Sequence, residues 1–495
     1  MKPRAFWLII PFILLASCAP VETIQQTPTA TMQATQEVDL EPPVNGPTPL
    51  PTRMAFSPGE LVDYVAQSGD TLPALAAHFN TTVDEILAAN EMIPKDITTL
   101  PAGLPMQIPI YHIPLIGSPF QIIPNSEAVN SPSAVDFDIK AELEATPGFL
   151  KDIVDYGYYR ERAAWDVVDV LARNYSVHPR LLITLLEFQS QAVTRSEFTE
   201  TDRIYPLGYE NSRYQGLYRQ LLWGVELIND GYYGWQTGTI DTIQLADGHL
   251  VRPDPWQNAG TVALYNLFAA LYGQEDFNAA VGPEGFYQTY MALWGDPFDY
   301  EIDFIEGNLG QPELALPFEP GKLWDFTGGP HFSWGLSLPY GALDFAPPAV
   351  EGGCALSGEW VTAPASGVIT RSELAMVVLD LDGDGDQRTG WIIFFFHIAE
   401  KDRIAAGTVV EQGALLGHPS CEGGRSTGTH VHIARIYNGE WIPAGGVLPF
   451  TLDGWVAAYG DEPYDGTLTK VSKVVPASVD PTIENQIYYA LPSPE

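Results

Sequence analysis

A run of eight residues, WIIFFFHI at 391–398, leaves this chain few ways to fold. Strand alternation places Trp391, Ile393, Phe395 and His397 together, with Ile392, Phe394, Phe396 and Ile398 on the other side. Both faces are apolar, so the strand must lie between two layers, with His397 emerging at its end. The surrounding third of the chain is glycine-rich and strand-like. Two further segments there carry histidines, GGPHFSWGLSLPYGALDFAPP at 328–348 and STGTHVHIARIYNGEWI at 426–442. His430 and His432 are two apart in a β-patterned run and therefore share a face.

These residue types suit a metal. A zinc ion that does chemistry takes three neutral or anionic protein ligands and keeps a position for water. His331, Asp344 and His432 can supply two imidazoles and a carboxylate, leaving His397 and His430 as neighbouring acid–base groups. His418, in a loop with glycine, proline and cysteine, reads as structural. The acidic run Asp380–Asp386 hints at a calcium loop. A frame starting at Asp380 puts Trp391 where the closing glutamate belongs, so a hairpin turn is the better reading.

Over about residues 322–448 these segments resemble the lysostaphin/β-lytic, or LytM-type, zinc endopeptidases. Gly328-Gly329-Pro330-His331, a long gap and then Leu343-Asp344-Phe345 match the β-lytic branch. The resemblance implies an antiparallel, sandwich-like all-β domain that hydrolyses peptide bonds. It implies Zn2+ on His331, Asp344 and His432, with His397 and His430 as the catalytic histidines. Residues 449–495 are left as a C-terminal extension.

The other end of the chain speaks of export. Lys2 and Arg4 precede an apolar run, 5–16, too short for a spanning helix of ~20 residues. It ends in Leu15-Ala16-Ser17-Cys18, which resembles the lipobox of bacterial lipoproteins. That implies a signal peptide at 1–17, lipid on Cys18, and an extracytoplasmic protein anchored to a membrane. Residues 18–58 are rich in proline and threonine and read as a disordered stalk, reaching on the order of 100 Å at ~3.1 Å per residue. Cys354 and Cys421, left over in an exported domain, suggest one disulfide.

Residues 59–112 resemble a LysM module. Ser68-Gly69-Asp70-Thr71 turns into a helix carrying Leu72, Leu75, Ala76 and Phe79, Thr82 can cap a second, and Met106–Ile110 is a strand. The resemblance implies binding to N-acetylglucosamine-containing glycan between the loops at 69–72 and 90–97. Gly69, Asp70, Thr71 and Asn90 are the candidate contacts; His78 and His112 read as surface or packing residues.

Residues 139–317 read as mostly helical. Ala164, Trp165, Val168, Leu171, Ala172 and Tyr175 share a face, Pro179 opens the next helix, and later helices are expected at 214–229, 259–272 and 285–293. Glycine at 231 is read as the stop of the first of these, and 239–253 as a hairpin. Glu187, ending a strongly apolar helix, looks like the catalytic acid of lysozyme-like lytic transglycosylases, although their Glu-Ser motif is absent.

The whole is therefore expected to be a multidomain α+β protein, a cell-wall zinc metalloendopeptidase tethered by lipid and targeted to peptidoglycan by LysM. A non-catalytic regulator of other hydrolases, or a bifunctional enzyme with added transglycosylase activity, are the alternatives. With 62 acidic against 24 basic residues and a net charge of −38, nucleic acid is not an expected partner. The acidity reads as solubility at an outer surface.

Overall fold

The computed structural model describes residues 56–111, 117–348 and 352–491. The signal peptide, Cys18, nearly all of the stalk and His112 lie outside the described residues. Among the described residues no helix is long and apolar enough to cross a membrane.

Strands β1 (Glu60–Val65) and β2 (Pro105–Ile110) pair antiparallel, and α1 (Leu72–His78) and α2 (Val83–Ala89) pack against them. The sequence sets both helix starts. Thr71 accepts a hydrogen bond from the Ala74 amide, and Thr82 closes a capping box with Glu85. Leu75, Phe79, Ile86, Leu100 and Ile108 fill the small core.

The helical region follows: α3 (Ile139–Ala145), a hairpin of β3 (Val154–Gly157) and β4 (Arg160–Ala163), α4 (Ala164–Tyr175), α5 (Pro179–Ser190) and α6 (Glu200–Ile204). Next come α7 (Leu217–Gln236), the small hairpin β5 (Ile243–Gln244) and β6 (Leu250–Val251), then α8 (Ala259–Leu271), α9 (Gln274–Val281) and α10 (Phe286–Trp294). Helix α7 does not stop at Gly231 as the sequence suggested. A Cβ there would stand 2.8 Å from the Ala263 Cα and 2.7 Å from the Asn266 Cβ, so this glycine lets α7 and α8 approach closely.

The C-terminal part is β: β7 (Leu323–Phe332), β8 (Tyr340–Ala346), β9 (Val361–Thr362), β10 (Gly367–Glu373), β11 (Met376–Asp380), β12 (Trp391–Phe396) and β13 (Val409–Val410). Then follow β14 (Leu415–Gly417), β15 (Val431–Tyr437), β16 (Glu440–Trp441), β17 (Thr451–Leu452), β18 (Trp455–Tyr459), β19 (Gly466–Lys470), β20 (Lys473–Pro476) and β21 (Gln486–Tyr488). A large antiparallel sheet runs in the order β13-β10-β11-β12-β15-β8-β7-β21, with β16 attached to β15. Asp380 to Asp386 form the turn between β11 and β12, where the buried Asp380 carboxylate accepts from the Asp382, Gly383 and Gly385 amides. Cys354 and Cys421 are joined in a disulfide.

The doubly apolar β12 is buried as its sequence requires, but by two different partners. Ile393 and Phe395 pack with Val377, Leu379, Val431 and Ile433 in the β core. Ile392 and Phe394, with Met376, Val378, Ala434 and Ile436, share a cluster with the helices. Of residues 449–495, read from sequence as an extension, the described part, 449–491, is built into the β core: β21 completes the sheet beside β7, and Phe450, Leu452, Trp455, Leu468, Val475 and Ile487 are buried in it.

Candidate active site

Four neighbouring strands bring the predicted residues together. Phe396 of β12 lies opposite His432 of β15, and His432 lies opposite Asp344 of β8. On β7, Gly328 lies opposite Asp344, and His331 follows three residues later, opposite Ala342 after a shift in register. The two glycines before His331 are required by space. A Cβ on Gly328 would stand 2.7 Å from Asp344 Oδ2, and one on Gly329 would stand 2.3 Å from the Asp465 carbonyl oxygen.

His397 departs from the expected alternation. Its φ of 64° is left-handed, which ends the strand and shifts the faces by one residue. The His397 ring therefore joins the cleft 4.5 Å from the His430 ring, while Ile398 enters the β core. Strict alternation had placed these two side chains the other way round. The Ser420 amide and hydroxyl, both bonded to the His397 carbonyl, hold this backbone.

Four imidazoles are oriented by backbone carbonyls. His331 Nδ1 donates to Gly329 (2.8 Å), His432 Nε2 to Ser333 (3.0 Å), His430 Nδ1 to Gly428 (2.8 Å) and His397 Nδ1 to Glu422 (2.8 Å). A carbonyl only accepts, so each ring carries its proton on the outer nitrogen and turns a lone pair inward. His331 Nε2 and His432 Nδ1 consequently face each other at 3.0 Å, with Asp344 Oδ1 at 3.3 and 3.4 Å from them. Asp344 Oδ1 is buried without a hydrogen-bond partner.

Three electron-pair donors converging in a buried place repel one another unless a cation sits among them. Two imidazoles and a carboxylate are a ligand set that fits Zn2+. Burial, followed by the neighbouring His430 and His432, pushes His397 down to about 3, so it stands as a neutral base.

The cleft over these residues measures about 750 Å³ and is lined from the β region, including the loop 424–429. Sequence reasoning missed Tyr464, whose ring stacks on His331 at 4.1 Å. Backbone bonds from Gly329 to Tyr464 and from Tyr464 to Pro330 place it there, across more than a hundred residues of chain. No local pattern announces such a contact. It also missed Tyr159, at the tip of the β3–β4 hairpin, whose hydroxyl donates to the Gly423 carbonyl (2.8 Å) at the cleft rim.

Other candidates do other work. The Glu187 carboxylate accepts from the amides of Val193 (2.8 Å) and Thr194 (3.1 Å) and from the Thr194 hydroxyl. It ties down the turn after α5 instead of offering a free acid to a sugar. Asp70 is buried, accepting from the Tyr64 hydroxyl (2.7 Å) and the Gln67 amide (2.8 Å), and Thr71 is a helix cap. Asn90 satisfies Ile86 and Gln107 of its own module. A Cβ on Gly69 would lie 2.9 Å from Gln236 Nε2.

Residues flanking the two loops read as framing a sugar, 69–72 and 90–97, meet the rest of the chain. The Ile305 amide donates to Ser68 Oγ, Thr98 donates to the Leu309 carbonyl, Thr99 to that of Glu306, and the Asn308 amide to that of Thr99. His78 is buried and stacked on Trp235 at 3.6 Å, and His418 Nδ1 donates to the Glu359 carbonyl (2.8 Å), so neither joins the metal ligands.

Residues 64–109 match the LysM domain model, and residues 121–306 match the model described as LasA, N-terminal domain. Protease LasA of Pseudomonas aeruginosa is 25% identical over 380 residues, covering 72% of this chain and 82% of that protein. The beta-lytic metalloendopeptidase of Lysobacter enzymogenes is 28% identical over 160 residues, covering 31% of this chain and 83% of that protein. The solved structure of pseudoalterin, described as a novel M23 metalloprotease from deep-sea, is 26% identical with a TM-score of 0.29, covering 34% of this chain and 96% of that one. The chain thus combines a LysM module and a region of the LasA N-terminal type with a LytM-type peptidase domain.

Proposed function

We propose that this chain is a membrane-anchored zinc metalloendopeptidase that hydrolyses peptide bonds of peptidoglycan. Lipid on Cys18 tethers it at an outer surface, and the LysM module brings it to N-acetylglucosamine-containing glycan, raising the local concentration of substrate. The observation that carries the catalytic reading is the convergence of three inward lone pairs, from His331, Asp344 and His432, on a buried point beside two further imidazoles.

His331, Asp344 and His432 hold Zn2+, which when bound supplies a Lewis acid and lowers the pKa of water toward ~7. Asp344 brings one negative charge to the metal, and the carbonyls of Gly329 and Ser333 keep both histidine ligands in the ligating tautomer. His430 and His397, each fixed through Nδ1, turn Nε2 toward the cleft, where the pair accepts a proton from the attacking water and hydrogen-bonds the tetrahedral oxyanion. The described side chains that line the cleft come from the β region, with Tyr159 of the β3–β4 hairpin at its rim.

The test is direct. Purified protein is incubated with peptidoglycan, with and without a chelator, and the products are identified by mass. New amino termini that vanish with chelator are the expected result; their absence in both arms would remove the peptidase reading.

A further inference from the structure

Basic side chains are scarce in this chain, and many are paired: Arg162 with Asp166, Arg195 with Asp202, Arg388 with Asp386. Arg425 differs. It is exposed and lines the cleft, and among the described residues its guanidinium has no hydrogen-bond, ion-pair or ring partner. Among the described residues lining the cleft it is the one lysine or arginine, and the one carboxylate, Asp344, is turned to the metal ligands.

Arg425 is not carried on a free loop. On one side Cys421 is tied to Cys354, the Glu422 carbonyl accepts from His397, and the Gly423 carbonyl accepts from Tyr159. On the other side the Thr429 amide donates to Gly353 and its hydroxyl to Ala355, just before His430. The backbone that carries Arg425 is thus held on both sides, five residues from one catalytic histidine and on the loop that orients the other. A net charge of −38 repels an anionic peptide at long range, so a carboxylate reaching this cleft needs a local cation.

We propose that Arg425 is a specificity-determining residue that binds a carboxylate of the substrate peptide close to the bond being cut. A guanidinium offers two parallel N–H donors to such a group. Resting on the endopeptidase reading above, this assigns the substrate class as carboxylate-bearing stem peptide in preference to an uncharged oligoglycine bridge.

The experiment compares native peptidoglycan with peptidoglycan whose carboxyls have been amidated by carbodiimide and ammonia. Wild-type protein should cut the amidated wall roughly tenfold more slowly. Arg425→Ala should lose a similar factor on the native wall, mainly through KM, and lose nothing further on amidation. Arg425→Lys should recover part of the loss. Zinc content and Tm measured on each variant should match wild type, which separates recognition from folding. Equal wild-type rates on both walls, or an unchanged preference in Arg425→Ala, would overturn the inference and leave the peptidase reading standing. No new amino termini from either wall would overturn both.

Discussion

The zinc cleft and the LysM module were both read from sequence as places where polar residues meet a partner, and they are built in opposite ways. Around the cleft, backbone carbonyls take the outer nitrogen of each histidine and the fold leaves the inner lone pairs and Asp344 Oδ1 with nothing of their own to bond. In the LysM module Asp70, Thr71 and Asn90 are each answered from within the same module. A buried polar group that the fold leaves unsatisfied costs stability and points to a partner outside the chain. One that is fully satisfied is explained by folding alone.

The largest effect should come from the cleft. His430→Ala should lower turnover by about 10²–10⁴-fold while zinc stays bound, whereas His432→Ala should lose the metal as well. Zinc content by mass spectrometry beside peptide release checks this, and equal metal loss in both variants would erase the division between ligand and base.

Satisfied polar groups should act on stability and not on chemistry. Glu440, buried at the seam between the helices and the sheet and bonded by the Tyr232 hydroxyl, has its carboxyl pushed up to about 7 by burial. The folded protein therefore keeps a proton that the unfolded chain sheds near 4.5, so stability is highest below that pH and falls until about 7. Glu440→Gln should flatten this fall, which is worth on the order of 3 kcal/mol, and leave turnover per folded molecule unchanged. Thermal melts across pH 4–8 read it out.

A smaller cost, about 1–3 kcal/mol, is expected for Asn90→Ala, since it strands the Gln107 amide and the carbonyls of Ile86 and Gln107. Co-sedimentation with peptide-free chitin should follow the folded fraction only. Lost binding with an unchanged Tm would make Asn90 a glycan contact and break the comparison. Smallest of all, Glu187→Gln should cost about 1 kcal/mol or less and change no glycan product, because an amide oxygen still accepts from the turn. A loss of anhydro-sugar products would restore its catalytic reading.

What was legible in the sequence was local. Thr71 and Thr82 announce their helices because a cap is an interaction across three residues. The turn after Asp380 and the hairpin at 243–251 are similarly short-range. Gly231 misled because its partner, α8, lies some thirty residues on, and a glycine that ends a helix looks the same as one that lets two helices touch.

By itself the sequence determined which residues could serve a metal and that Trp391–Phe396 must be covered on both sides, because residue chemistry and a period of two are properties of the chain alone. Only the tertiary structure decided what covers each side, that residues 449–491 complete the core and bring Tyr464 onto His331, and that His397 turns out of register into the cleft. It also decided that the loops of the LysM module meet residues 305–309. Each of these depends on contacts between segments far apart in sequence, or on a backbone angle that such contacts hold. Neither leaves a mark in the order of residues nearby.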